Sequence, residues 1–381
     1  MTLKPETIAA QAAGAIDEAT GAVVPAIHIA TTFERAPDNS YPNGLVYSRA
    51  DNVTTRQAEQ VINHLEGGAR TLLLGSGMAA ATALFLALRH PGEASTHVVA
   101  PKVMYWSLRN WLINEAPAYG LTASFFDNAD LATLAAAIRP GETRLVWLET
   151  PANPLWTITD IAAAARVAHD AGALIAVDST GATPVLTRPL ALGADVVMHA
   201  ATKYLNGHSD VLAGSLTFAR DDDLAARAAA VRKNLGAVLG PFEAALLMRG
   251  MRTLYVRVRH QSAAAMTIAR HFRGHAGVEE VLYPGLTNAP GHDIAATQMQ
   301  GGFGGMLSIR VKGGEVAAIR CAARLKVWKR ATSLGGVESL VEHRASIEGP
   351  GTPCPPDLLR LSTGIENADD LIADLEHALA S

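Results

Sequence analysis

The chain has 381 residues, 49% of them hydrophobic and 18% charged, and its 32 Lys+Arg against 36 Asp+Glu leave a formal net charge of −4. That length and apolar content suit a folded enzyme with up to two cores, and near-neutrality provides no footprint for nucleic acid or an anionic membrane. Two cysteines, Cys321 and Cys354, exclude a disulfide scaffold and an all-cysteine metal site. Glu6 and Asp17 interrupt the apolar core a secretory leader needs, and the longest apolar run, 78–88, falls short of the about 18–20 residues of a membrane span. A soluble protein of a reducing, cytoplasmic compartment is expected.

Residues 1–50 are weakly periodic and rich in turn formers (Pro25, Pro37, Asp38, Asn39, Pro42, Asn43, Gly44), an arm that gains order by packing on something else. After them, short β-type runs at 70–74, 97–100, 122–126, 144–149, 173–178 and 195–199 alternate with helical patterns at 78–88, 105–114, 131–138 and 161–171. Strand and helix in alternation predict an α/β fold with a mostly parallel sheet covered on both faces. From Pro241 the pattern changes to one long helical stretch, a β-rich segment containing GGMLSIRV and LLRLSTG, and a closing helix, which predicts a smaller α+β domain. The expected division is an arm at 1–50, a large domain at 51–240 and a C-terminal domain at 241–381.

Ligands of open parallel sheets sit at the carboxyl ends of the strands, and three such ends carry suggestive groups. Gly75-Ser76-Gly77-Met78 opens a helix, where backbone N–H groups can hold an anion. Asp178 closes an apolar strand, a costly place for a carboxylate without a cation or several donors. Lys203 follows the next strand, where partial desolvation makes an amine nucleophilic. Singly, each has a plain reading: a strand-to-helix turn, an Asx turn and a surface lysine. Together they are the groups pyridoxal phosphate requires, with N–H donors for its phosphate, a carboxylate for its pyridine nitrogen and a lysine for its aldehyde.

The sequence also resembles the Cys/Met-metabolism, cystathionine γ-synthase-like PLP enzymes over nearly its whole length. The resemblance is carried by YSRADNVT (47–54), GSGMAA (75–80), ETPANP (149–154), VDSTGATP (177–184), ATKYLNGHSDVLAG (201–214), PFEAALLMRGMRTLYVRV (241–258), SLGGVESL (333–340) and LLRLSTGIE (358–366). It implies the type I fold of PLP-dependent transferases and a homotetramer built from active dimers. It further implies that Lys203 binds the cofactor aldehyde and moves protons, that Asp178 pairs with the pyridine nitrogen, and that Gly77, Met78 and Thr202 hold the phosphate. Tyr47 and Arg49 are implied to reach that phosphate from a neighbouring subunit, Tyr105 to stack on the ring and assist the leaving group, and Asn153 to lie by the phenolic oxygen. Arg360, assisted by Ser333, matches the clamp for the substrate α-carboxylate, a task suited to a bidentate fork.

The implied reaction is γ-elimination or γ-replacement on an amino acid with a Cγ leaving group, as in trans-sulfuration. The alternatives are a γ-lyase for canavanine or an O-acylhomoserine, and a cystathionine β-lyase. Several positions depart from the family pattern. Ala200 replaces a serine, losing a hydrogen bond of about 1–3 kcal/mol if uncompensated. Asn52-Val53-Thr54 replaces Asn-Pro-Thr, Thr332 stands where enzymes acting on cystathionine commonly carry Glu, and 343–350 departs from a His-Pro-Ala pattern. In that last stretch, Arg344 and Glu348 either contact a substrate tail or form a solvated charge pair. Readings from other classes fare worse. No GxGxxG supports a nicotinamide dehydrogenase, the complete residue set argues against a binding protein without turnover, and the 13 histidines lack HExxH spacing, so no metal is expected. His199 and His208 are read as structural.

Overall fold

The computed structural model describes residues 3–90 and 92–380. The chain forms two compact units, Met1–Pro91 with Asp195–Tyr255, and Gly92–Ala194 with Val256–Ser381. Seven strands make up a mostly parallel large sheet: β1 (Arg70–Leu74), β2 (Thr96–Pro101), β3 (Leu121–Phe126), β4 (Thr143–Glu149), β5 (Leu174–Asp178), β6 (Val196–His199) and β7 (Gly214–Phe218). Five more form a smaller sheet: β8 (Val278–Leu282), β9 (Met306–Val311), β10 (Lys329–Arg330), β11 (Leu340–His343) and β12 (Leu358–Ser362). Among the described residues no helix is long and apolar enough to cross a membrane.

In the first unit the strands run β1-β7-β6, both pairs antiparallel, with Leu74 opposite Gly214 and His199 opposite Ser215. The helix Val53–Glu66 precedes β1, and the Asn52 side chain caps it by accepting from the N–H groups of Thr54 and Thr55. Val53 is its first helical residue, the position where proline is tolerated, so the departure from Asn-Pro-Thr leaves the helix start intact. The helix Gly77–Ala87 follows β1, with Ser76 as its cap.

The second unit carries the parallel run β5-β4-β2-β3. Leu145 to Leu148 of β4 and Ile175 to Val177 of β5 are fully buried, as expected for strands covered on both faces. Their core includes Ile161, Ala164 and Ala168 from the helix Ile161–Asp170, which is capped by Asp160. The smaller sheet, in the order β10-β11-β12-β9-β8, is antiparallel apart from the β10–β11 pair. Phe272, Leu307, Ile309, Leu359, Leu371 and Leu375 belong to its core.

Strands β1 to β6 lie where the alternating pattern predicts, with ends shifted by a residue or so. The single helical stretch expected beyond Pro241 is two helices, Pro241–Met251 and Leu254–Phe272. The break falls where Thr253 donates from both its N–H and its hydroxyl to the Gly250 carbonyl. Helices Pro5–Ala10, Val53–Glu66 and Asp223–Leu235 and strand β7 belong to the first unit and are additional to the predicted elements.

At Gly214 two backbone segments touch. A Cβ there would lie 2.1 Å from the Ser76 carbonyl oxygen and 2.9 Å from Gly77 Cα. Both obstacles are backbone, so the sheet or the 75–78 turn would have to move. Gly214→Ala is expected to destabilise the protein by about 1–3 kcal/mol, read as a lower urea midpoint with an unchanged slope.

Candidate active site

The first unit supplies a capped helix N-terminus and a lysine. Past β1 the chain turns through Gly75 and Ser76 into the helix Gly77–Ala87, and Ser76 Oγ accepts from Ala79 N–H at 3.0 Å. That cap satisfies the third N–H of the helix; among the described residues those of Gly77 and Met78 have no partner and are its open donors, at the positive end of the helix dipole. Ala200 packs on this turn, since a Cβ at Gly77 would lie 2.8 Å from Ala200 Cβ. Gly77 is therefore required for the close approach.

Thr202 and Lys203 follow β6 in a run of turns. The Thr202 N–H and hydroxyl both donate to the Ala213 carbonyl at 3.1 Å, and the hydroxyl oxygen accepts from Ala213 N–H at 2.9 Å. Its hydroxyl hydrogen is thus committed to backbone, and donation to a phosphate requires that bond to be exchanged. Half-buried Lys203 has its own backbone fixed at both ends, with its N–H donating to Ala200 O at 2.9 Å and its carbonyl accepting from Gly207 N–H at 2.7 Å. His199 lies buried against Glu66, Nε2 to Oε1 at 2.6 Å.

Tyr47 and Arg49 are exposed, with the Arg49 guanidinium carbon 5.7 Å from the Tyr47 ring centre. With Ser48, Asn52, Val238 and Pro241 they line a cleft of about 420 Å³.

The second unit brings Tyr105, Asn153, Asp178, Ser333 and Arg360 into one polar framework. Glu149 ends β4 in register with Asp178, the last residue of β5, so two buried carboxyl groups stand side by side. Asp178 Oδ1 accepts from Thr180 N–H at 3.0 Å. Glu149 accepts from Tyr105 N–H through Oε2 at 2.7 Å and from Asn153 N–H through Oε1 at 2.9 Å. Burial, and next the Asp178 carboxylate, push the Glu149 carboxyl up to about 8. Tyr105 sits just ahead of the helix Trp106–Asn114 and is 42% exposed, an aromatic residue reachable from outside on a fixed backbone.

Asn153 Oδ1 accepts from Arg360 Nη1 at 3.1 Å. Arg360, buried in β12, also donates from Nη2 to the Ser333 carbonyl at 2.9 Å and to Glu342 Oε2 at 2.6 Å. Ser333 has φ 98°, a left-handed conformation costing about 1–3 kcal/mol in a non-glycine residue. Its loop is held by Gly335 N–H donating to Ser362 Oγ at 2.8 Å and by Gln261 Nε2 donating to Gly336 O at 2.7 Å. Burial, and after it the nearby Arg344, hold the Arg360 guanidinium down at about 10, still protonated at neutral pH.

Arg344 and Glu348 do form a pair, at 2.7 Å, but it is buried rather than solvated, with side chains 5% and 2% exposed. The reason is Glu342, whose carboxylate on β11 draws Arg344 inward at 2.8 Å. Sequence reasoning passed over Glu149 and Glu342. Glu149 carries the same signal that singled out Asp178, a carboxylate closing an apolar strand. Glu342 has none, because its role depends on the β11–β12 register that sets it opposite Arg360.

The α/β fold is that of a class of PLP-dependent enzymes, as the comparisons with known proteins show. Residues 6–380 match the Cys/Met metabolism PLP-dependent enzyme family, and the chain belongs to it. It is 43% identical to the cystathionine gamma-synthase of Mycobacterium tuberculosis, with 98% of this chain and 96% of that protein covered. It is 37% identical to the L-methionine gamma-lyase of Porphyromonas gingivalis, with 97% and 95% covered. Among solved structures it is similar to cystathionine gamma synthase from Xanthomonas oryzae pv. oryzae in complex with aminoacrylate and cysteine, with TM-score 0.93, 36% identity and 100% and 98% coverage.

Glu149 makes the protein's stability depend on pH. Its raised pKa means that the folded state keeps a proton the unfolded chain releases, so its contribution is present in acid and lost as pH rises from about 4.5 toward about 8. Glu149→Gln removes the titrating group, and its melting temperature is expected to fall less than that of the wild type between pH 5 and pH 8. An equal fall in both proteins would refute the assignment.

Proposed function

We propose that the chain binds pyridoxal 5′-phosphate and catalyses γ-replacement or γ-elimination on an amino acid with a leaving group at Cγ, in the manner of trans-sulfuration enzymes. The observation that carries this reading is full-length likeness to a synthase and a γ-lyase of that kind, with Lys203, Asp178, Tyr105 and Arg360 all present.

The donor set fits the cofactor. Open N–H groups at Gly77 and Met78 suit a phosphate, with Thr202 beside them and with Tyr47 and Arg49 supplied by a neighbouring copy of the chain. Asp178 suits a protonated pyridine nitrogen, Tyr105 the ring face, Asn153 the phenolic oxygen and Lys203 the aldehyde. When bound, the cofactor supplies an electron sink for charge left at Cα. Arg360, with Ser333 beside it, binds and orients the substrate α-carboxylate. Lys203 takes the Cα proton, gives it up again so that its amine is neutral, and then takes a Cβ proton, while Tyr105 serves as acid–base partner to the departing group. The same reading makes 1–50 an intersubunit arm, 51–240 the cofactor domain and 241–381 the carboxylate-clamping domain of a cytoplasmic homotetramer.

One observation favours a second substrate reading. Thr332 is exposed and uncharged where family members acting on cystathionine commonly carry Glu. That departure argues against a dedicated cystathionine enzyme and keeps open a γ-lyase for a non-sulfur homoserine-type substrate, canavanine or an O-acylhomoserine.

Purified protein supplied with the cofactor is expected to be yellow, with a visible band bleached by borohydride. Lys203→Ala should lose that response and the activity; retention of both would overturn the assignment. Incubation with an O-acylhomoserine plus cysteine, cystathionine, methionine and canavanine, with product identification, separates the reactions. Cystathionine as product marks replacement, 2-oxobutanoate γ-elimination, and pyruvate from cystathionine a β-lyase.

A further inference from the structure

The carboxylate clamp is embedded in four buried charges. Glu342 Oε2 accepts from two guanidinium groups, Arg360 Nη2 at 2.6 Å and Arg344 Nη1 at 2.8 Å. Arg344 donates in turn from Nη2 at 2.7 Å and Nε at 3.1 Å to Glu348 Oε1, and the Thr352 hydroxyl donates to the other Glu348 oxygen. Two cations and two anions therefore balance, each side chain no more than 6% exposed.

We propose that Arg344, anchored by Glu348, is a positioning residue that shares Glu342 with Arg360 and thereby keeps Arg360 able to receive the substrate α-carboxylate. The inference rests on the reading of Arg360 as the carboxylate clamp. Its physical basis is competition. In a buried site a carboxylate and a guanidinium attract each other strongly, and a second anion entering beside them is repelled. Arg344 draws on the same Glu342 oxygen that Arg360 uses, which weakens the hold of Glu342 on Arg360 and offsets its repulsion of an incoming carboxylate.

Without Arg344, the whole charge of Glu342 falls on Arg360, and the substrate must both loosen that pair and approach its anion. Glu348 prevents the opposite fault. It occupies the remaining fork of Arg344, so that Arg344 is not itself a second carboxylate site. Arg360 is thus left under-compensated, in line with the lowering of its pKa by burial and by Arg344. Among the described residues its Nε–H and second Nη1–H make no protein hydrogen bond, so donors remain for a ligand.

The test uses holoenzyme and two probes: L-2-aminobutyrate, which has no Cγ leaving group, and propylamine, the same molecule without the carboxylate. Binding is titrated by the visible absorption band. Arg344→Met/Glu348→Gln removes one charge of each sign; it is expected to raise the apparent Kd for L-2-aminobutyrate at least tenfold and to leave propylamine within twofold. KM for the turned-over amino acid should rise in parallel, with kcat within threefold. Adding Glu342→Gln should return L-2-aminobutyrate binding to within threefold of wild type. Should the double variant fail to fold, Arg344→Lys, which keeps a charge but loses the fork, is expected to weaken L-2-aminobutyrate three- to fivefold with propylamine unchanged.

Equal weakening of both probes, or no rescue by Glu342→Gln, would show a merely structural role and overturn the proposal. Arg360→Lys separates the two levels. If it leaves L-2-aminobutyrate binding unchanged, the clamp reading itself fails. If it weakens binding while the Arg344 variants bind as wild type does, only the role of Arg344 fails.

Discussion

A carboxylate at the end of an apolar strand must find donors or stay protonated, and at Glu149 that constraint organises the second unit. Leu145 to Leu148 are buried, so the chain brings Glu149 to the strand end within an apolar environment. Its two oxygens accept the backbone N–H groups of Tyr105 and Asn153, which fixes the start of the Trp106–Asn114 helix and the ETPANP turn together. Asn153 passes the connection to Arg360, and Arg360 to Glu342, Arg344 and Glu348. The residue proposed to stack on a cofactor ring and the residue proposed to bind a carboxylate are therefore parts of one hydrogen-bonded framework. Pre-organisation of this kind limits the conformational freedom that binding would otherwise have to remove.

The first unit meets a different constraint, close approach of backbone. Gly77 and Gly214 let the turn after β1, the chain at Ala200 and the start of β7 lie within van der Waals range. A helix N-terminus works as an anion cradle when its donors are open and a ligand can come near them. The Ser76 cap occupies one donor and defines where the open ones begin. Ala200, in place of the serine usual in the family, leaves that cradle without a hydroxyl at this position, and Thr202 has its own hydroxyl tied to Ala213. The backbone donors of Gly77 and Met78 consequently carry more of the proposed phosphate contact.

Much of the large sheet was legible because its signals are local. Four- to seven-residue apolar runs bounded by turn formers and Ala-rich helices identify β1 to β6, and the same rule exposes Asp178. The omissions have physical causes. Strand β7, GSLTF, is short and buried along its whole length, so it has no alternation to detect. The break near Thr253 depends on which group satisfies the Gly250 carbonyl, a choice that propensity does not report. Arg344 and Glu348 look like a surface pair because an i,i+4 Arg–Glu spacing ordinarily is one. Their burial follows from Glu342, which is recruited through pairing with a distant strand.

By itself the sequence determined the α/β class, the positions of most large-sheet strands and the family, through long motifs whose chemistry-bearing residues lie just beyond strand ends. These are properties of local pattern and of residue type at fixed spacing. Only the tertiary structure decided that Glu149 bridges Tyr105 and Asn153, that Ser333 adopts a left-handed backbone and that Arg360 shares Glu342 with Arg344. Those outcomes depend on sheet register and on the desolvation of charges brought together from far apart in the chain. The free energy of a buried charge is set by all of its neighbours at once, and no single stretch of sequence contains them.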